Sequence, residues 1–253
     1  MQYEETRVAG AKTRAKTALA KAGRAFNGEP APRETAITEL HRRAVLDSAD
    51  MIEPHLASAS LISTHAGIQA FTADRLATMS AGLFLEFGFH VGHSAQVFAS
   101  ALQQRPDRAT LYSFDAFKGL RDNWSQIDHT KGAFDLGGRT PEAPTGVELV
   151  VGWLEDTLAA FLADHEGCVS FCHFDLDVYE PTAFGLATLK PRLASGSLIL
   201  FDELHGYPGW RNYEWRALNE TLDPDEYEFV AFGPEQALVE FTGGATSAAR
   251  HHE

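Results

Sequence analysis

The chain has 253 residues, 44% of them apolar, enough for one large domain with a full core. Its 35 acidic and 21 basic side chains give a formal net charge of −14, which argues against nucleic acid or an anionic membrane as main partner. No apolar run approaches the ~20 residues of a membrane span, and the N-terminus lacks the apolar centre of a signal peptide, so a cytoplasmic location is expected.

Residues 1–27 are rich in Ala, Lys and Arg and read as a helix or a basic arm. Gly28, Pro30 and Pro32 break the pattern, and helical periodicity resumes over 33–50 through Ile37, Leu40, Ala44 and Val45. Pro54 interrupts it. A second helix is expected over 53–65, and a third through Ile68, Phe71 and Leu76 to Met79. Residues 1–80 would thus form a basic arm and helical cap, residues 81–245 the main domain, and 246–253 a tail. Thr64 and His65 fall where the cap could meet a bound ligand, unless they show only ordinary helix-end polarity.

The organising stretch is 82–94. Leu83 to Phe87 is a short apolar, aromatic-rich run suited to a buried parallel strand. Glu86, Gly88 and Gly92 follow as E-x-G-x-x-x-G, and Ser94 opens an apolar-periodic helix. A strand, a glycine turn and a helix N-terminus form a nucleotide-type cradle, although the same pattern serves as a plain turn in any α/β protein. The G-x-G-x-x-G of dinucleotide binders is absent, which disfavours an NAD-dependent dehydrogenase. An acid at the strand end suits a ligand carrying an ammonium group.

Further strands are expected over 110–114, 147–151, 168–174 and 197–201, alternating with helices, and a closing strand pair over 228–232 and 236–241. Cys168 and Cys172 lie in one of these apolar runs and read as inert packing. The alternation implies an α/β fold with a doubly wound, mostly parallel sheet, an antiparallel edge hairpin, and ligands at the carboxyl ends of the strands. Residues 121–142 have no periodicity and read as a mobile lid.

The strand ends deliver acids and glycine. Asp115 stands one strand–helix–strand unit after Glu86, where a carboxylate can accept both hydroxyls of a ribose. Asp175, Asp202 and Glu203 close two neighbouring strands, where their mutual repulsion calls for protons or a hard divalent cation such as Mg²⁺. The alternative is helix capping by Asp175 or Asp177. His173, inside a strand, reads as a core side chain, whereas His205 is placed to reach a substrate. Trp153 could border an adenine or join the core.

Five motifs together carry a resemblance: Glu86-Phe-Gly88, Phe114-Asp-Ala-Phe-Lys-Gly119, Gly152-Trp-Leu-Glu-Asp-Thr-Leu158, Phe174-Asp-Leu-Asp-Val-Tyr-Glu180 and Leu200-Phe-Asp-Glu203. In order and spacing the chain resembles the macrocin-type O-methyltransferases, class I enzymes that use S-adenosylmethionine to methylate sugar hydroxyls in antibiotic pathways. The resemblance implies a Rossmann-like methyltransferase fold. Glu86, Gly88 and Gly92 would line the methionine half of the cofactor, with Phe89, His90 and Ser94 in the same site, Asp115 at its ribose, and Gly152 and Trp153 at its adenine. Mg²⁺ would sit on Asp175, Asp202 and Glu203, the last standing where the family more often has a second aspartate. Asp175, which also borders the cofactor, and His205 are the candidate bases. The expected partner is a small-molecule acceptor, a glycoside or nucleotide sugar, and the expected assembly a homo-oligomer. A catechol-type O-methyltransferase and a catalytically silent cofactor-binding scaffold are the alternatives.

Overall fold

The computed structural model describes residues 35–121 and 131–243. The basic arm, the tail and the centre of the expected lid lie outside the described residues. The chain divides between Leu40 and His41 into two compact units. The described part of the first begins helix α1 (Ala36–Ile52), where the backbone N–H of Thr35 donates to Thr38 Oγ1 at 2.9 Å. Everything below belongs to the second unit.

There, eight strands make one sheet: β1 (Ser60–Leu61), β2 (Leu83–Phe87), β3 (Leu111–Asp115), β4 (Val147–Val151), β5 (Val169–Phe174), β6 (Leu193–Phe201), β7 (Tyr227–Phe232) and β8 (Ala237–Phe241). Their spatial order is β1-β7-β8-β6-β5-β2-β3-β4. Only β8 runs antiparallel to its neighbours, β6 and β7. Helices α2 (His65–Leu76) and α3 (His93–Leu102) cover one face, and α4 (Leu154–Asp164), α5 (Tyr179–Leu189) and α6 (Glu214–Thr221) the other.

Every residue of β2 and of β5 is buried, as expected for central parallel strands packed on both faces. Side chains alternate between those faces. Leu83, Leu85 and Phe87 join the core beneath α4, α5 and α6, with Leu158, Phe174 and Leu186. Phe84 faces α2 and α3 with Ile68, Phe98 and Phe171. The same period sends Glu86 to the α3 side. The register sets it beside Ser113 on β3 and His173 on β5, so a polar stripe crosses the sheet just short of its carboxyl edge.

Two expectations change. The helix expected over 53–65 is a 3-10 turn, Glu53–His55, followed by the two-residue strand β1. Pro54 ends regular α-helix there, and the backbone N–H of Ile62 donates across the sheet to Phe232 at 2.8 Å. The closing hairpin is antiparallel as expected, but β1 pairs with the outer side of β7 and takes the edge.

Candidate active site

A cavity of about 540 Å³ opens at the carboxyl ends of the central parallel strands, where doubly wound sheets place their ligands. Gly88, directly after β2, forms its floor. Its φ of 99° is a left-handed value, and a Cβ there would lie 1.8 Å from the carbonyl oxygen of Asp175. The neighbouring strands are pinched together at this point: Gly88 donates to Phe114 O and Asp175 donates to Phe87 O, both at 2.9 Å. Only glycine permits that approach. At Gly92 (φ 80°) a Cβ would meet the Phe89 ring at 2.5 Å.

Asp115 at the end of β3 ties the turn down. Its Oδ2 accepts the backbone N–H groups of Phe89 (3.0 Å) and His90 (2.7 Å), and its Oδ1 that of Phe117 (2.7 Å). His90 (φ 46°), Phe117 (φ 53°), Phe134 (φ 66°) and Asp177 (φ 65°) all take left-handed backbone without being glycine. Each such residue costs of order 1–3 kcal/mol, and such strain gathers at ligand sites. With Arg108 (φ 46°) there are five such residues among those described, and three of them, His90, Phe134 and Asp177, line the cavity. At the β4 end, Gly152 and Trp153 form a wall, with the Arg121 guanidinium 4.0 Å from the Trp153 ring centroid and 3.4 Å from Glu155.

The opposite wall is acidic. Asp175, Asp177 and Glu203 each place a carboxylate oxygen within 4.8 Å of the others. Burial, then the Asp202 charge, pushes Asp175 well above the usual carboxylate range, and the same causes push Glu203 up. Asp177 is raised to about 7 by burial and then by Asp202 and Asp115. Behind them Glu214 is fully buried; its Oε2 accepts the Glu203 backbone N–H at 2.9 Å. Glu203 Oε2 and Glu214 Oε1 are shut off from solvent with no partner among the described residues. Neither aspartate caps α5: the N-cap position is Val178, and no side chain bonds there.

Asp202 belongs to a different network. Its two oxygens lie 3.1 Å from His65 Nε2, and Oδ1 lies 3.6 Å from His173 Nε2. His173 Nδ1 in turn lies 3.3 Å from Glu86, whose two oxygens accept the hydroxyls of Ser94 and Ser113 at 2.7 Å each. Burial would lower the His173 pKa, but the carboxylates on either side raise it to about 10. Burial would raise Asp202, but His173 and His65 hold it well below the carboxylate range.

Of the residues expected at the site, Gly88, His90, Asp115, Gly152, Trp153, Asp175 and Glu203 line the cavity. Glu86, Ser94 and Phe89 are buried behind the turn, and Asp202 faces the histidines. Thr64 accepts the Gly67 N–H at 3.0 Å as the cap of α2. His205 is buried, 3.2 Å from the Gln236 carbonyl, and burial lowers its pKa to about 4. The cavity brings in Arg121, Phe134 and Glu235, which carry no motif, along with Glu180, the last residue of the 174–180 motif, and gives Asp177 a place among the carboxylates. The signal for Asp177 was its spacing, two residues from Asp175 in the loop after β5.

Residues 85–204 match the model of a family described as a methyltransferase domain. The match runs from within β2 to just past the end of β6 and so takes in the glycine turn and the strand-end acids. Solved structures share the fold. The crystal structure of CalS11, a calicheamicin methyltransferase, superposes with a TM-score of 0.57 at 21% identity, covering 83% of this chain and 94% of that one. The apo form of CalS11, described as a TDP-rhamnose 3'-O-methyltransferase, gives 0.53 at 22% identity over 83% and 96%. The O-methyltransferase NovP gives 0.55 at 18% identity over 70% and 81%. No curated protein matches the chain by sequence. Among the described residues, no helix is long and apolar enough to cross a membrane.

Proposed function

We propose that the protein transfers a methyl group from S-adenosylmethionine to a hydroxyl of a sugar-bearing small molecule, assisted by a divalent cation such as Mg²⁺. The observation that carries this reading is one cavity with two unlike ends: a glycine-floored, strained turn held by Asp115, and a converging set of carboxylates with a buried oxygen that has no partner among the described residues. The methyltransferase family match and the sugar methyltransferase among the fold's neighbours support it.

The residues fit the two absent groups. At the first end, Gly88 lines the cavity where the neighbouring strand end closes on it, and Asp115, whose oxygens already accept three N–H groups, keeps one acceptor site for a ribose hydroxyl. Gly152 and Trp153 offer an apolar wall for an adenine. Glu86, out of the cavity, would act through Ser94 and the turn it anchors. At the second end, Asp175, Asp177 and Glu203 form an all-oxygen set suited to a hard cation, with Asp202 beside them. S-adenosylmethionine supplies an electrophilic sulfonium methyl, and the cation supplies positive charge that favours an alkoxide-like acceptor oxygen.

The chain's own residues then do three things. The turn and the Trp153 wall orient one reactant, and the acidic wall orients the other, so the reacting atoms meet in line. Asp175 or its neighbour Asp177 accepts the hydroxyl proton at a carboxylate oxygen, Asp177 being tuned to about 7 before a cation is bound. Leu120, Phe134 and Val178 line the same space and exclude water. Within the second unit, the residues up to 80 serve as a cap to the domain over 81–245, and the assembly is a homo-oligomer. The exposed apolar side chains Val45 and Leu46 of α1 support a contact there.

Calorimetric titration with S-adenosylhomocysteine, with NAD as control and with Mg²⁺ or chelator, tests the reading. Micromolar binding of the first and none of NAD is expected. Absence of S-adenosylhomocysteine binding in both conditions would overturn it, and turnover undiminished by chelator would remove the cation.

A further inference from the structure

The chain after β3 is tied down more firmly than a plain connection needs. Residues 118–121 pair with 132–135 as two antiparallel arms. Lys118 and Asp135 form a bridge, the backbone N–H of Leu120 donates to Ala133 O at 3.0 Å, and that of Gly132 donates to Leu120 O at 2.9 Å. The arms are so close that a Cβ on Gly119 would lie 2.3 Å from Ala133 O. Each arm meets a different wall of the cavity. Arg121 lies over the Trp153 ring and against Glu155, just after β4. Phe134 meets His90, in the turn after β2, edge to face with ring centroids 5.6 Å apart.

In the sheet, β3 lies between β2 and β4, while β5 and β6, which deliver the converging acids, lie on the other side of β2. The two arms therefore reach both neighbours of β3, strand ends roughly 10 Å apart. Asp115 stands between them, at the end of β3. A ligand that touches both walls must be elongated, with its middle at Asp115. S-adenosylmethionine has that form: an amino-acid arm, a ribose and an adenine in sequence.

Phe134 is held in place against local preference. It takes left-handed backbone (φ 66°), which a bulky side chain rarely does, and its ring is 42% exposed, so burial in the core does not account for that strain. Of the large apolar side chains exposed among the described residues, Phe134 alone lines the cavity.

Resting on the methyl-transfer reading, we propose that the two arms brace S-adenosylmethionine along its length. Phe134 is a cofactor-binding residue that packs, with His90, on the amino-acid arm. Arg121 is a positioning residue that fixes the Trp153 ring against the adenine.

The test uses the full chain. S-adenosylhomocysteine is titrated first; failure at that step overturns the methyl-transfer reading and this inference with it. Variants are then titrated with S-adenosylhomocysteine and with 5′-methylthioadenosine, which keeps adenine and ribose but lacks the amino-acid arm. Asparagine tolerates left-handed backbone, so F134N is expected to keep the parent's Tm or exceed it. It should lose at least tenfold in affinity for S-adenosylhomocysteine while its affinity for methylthioadenosine stays within twofold. R121Q is expected to weaken both ligands alike, by threefold or more, and R121K, which keeps a cation for the ring face, to recover most of that loss. The proposal is overturned, with the methyl-transfer reading left standing, by any of four results. These are a parent that does not bind methylthioadenosine, an F134N variant that binds S-adenosylhomocysteine normally or loses both ligands equally, a Tm of F134N well below the parent's, and R121Q affinities that are unchanged or not recovered in R121K.

Discussion

Two groups of buried acids lie side by side in this domain and behave in opposite ways. Glu86 and Asp202 flank the His173 imidazole, and every oxygen of Glu86 has a donor. Asp175, Asp177, Glu203 and Glu214 face one another, and two of their oxygens have no partner among the described residues. Burial penalises the charged form in both groups. In the first, interposed imidazoles overcome that penalty and Asp202 stays ionised; in the second, like charges add to it and the pKa values rise. The lesson is that burial alone does not mark a functional acid. The paired set is scaffold, and the unpaired set is the one we propose holds a cation.

The largest effect should come from breaking the histidine-paired group. Replacing His173 with Leu removes the charge between Glu86 and Asp202 and leaves two uncompensated carboxylates. Losing one partner of a buried pair costs about 3–5 kcal/mol, or roughly 10 °C in Tm for a domain of this size. Thermal unfolding of His173→Leu checks this. A Tm within a few degrees of the parent would mean that His173 is neutral in the fold and that Glu86 is held by its serines alone.

The unsatisfied group should respond in the opposite sense. Asp177→Asn deletes one of the repelling charges, so the metal-free protein should gain stability, by about 1 kcal/mol or more, while methyl transfer falls ~10²–10⁴-fold if Asp177 takes the proton. The pH dependence carries the sign. The Asp177 pKa is raised from 3.8 to about 7 in the fold. Its protonated form is therefore favoured in the native state, and its contribution is fully present below pH ~4 and lost as pH rises through 7. The gain from Asp177→Asn should thus be larger at pH 8 than at pH 5, measured by denaturant unfolding in chelator. Adding Mg²⁺ at pH 8 should stabilise the parent more than the variant. Equal stabilisation of both would remove Asp177 from the cation site.

How far the sequence announced these two groups depends on what each one needs. Strand identity was legible because β2 and β5 are continuous apolar runs, and the glycine turn was legible because Gly88 and Gly92 sit where a Cβ would collide. Asp115, Asp175 and Glu203 were found because strand ends in an alternating α/β pattern are where ligands bind. What could not be read was pairing across the sheet. Glu86 looked like a ligand-facing acid because nothing local shows that Ser113 and His173 are its register neighbours. Asp202 and Glu203 are adjacent in sequence, but alternation turns Asp202 to the histidines and Glu203 to the cavity. His205 seemed well placed three residues beyond Asp202, yet the chain tucks it against Gln236. The 53–65 segment failed for a similar reason: β1 exists only because β7 offers it a partner.

The smallest effect concerns Thr64, which sits beside both groups through its neighbour His65. Its hydroxyl caps α2 by accepting the Gly67 N–H, and loss of such a cap costs about 1 kcal/mol. Thr64→Ala should therefore lower Tm by roughly 2–4 °C. As a cap it would leave the affinity for S-adenosylhomocysteine untouched; as a cofactor contact it would weaken that affinity by tenfold or so at similar stability cost. Measuring both numbers on the same variant separates the roles. It also sharpens the comparison, because His65 is the first residue of α2 and reaches Asp202 from there. If loosening the cap also lowers the Tm gain on Mg²⁺ binding, the helix that holds His65 is coupled to the unsatisfied acids, and the paired network positions the other. If that gain is unchanged, the two groups are independent neighbours.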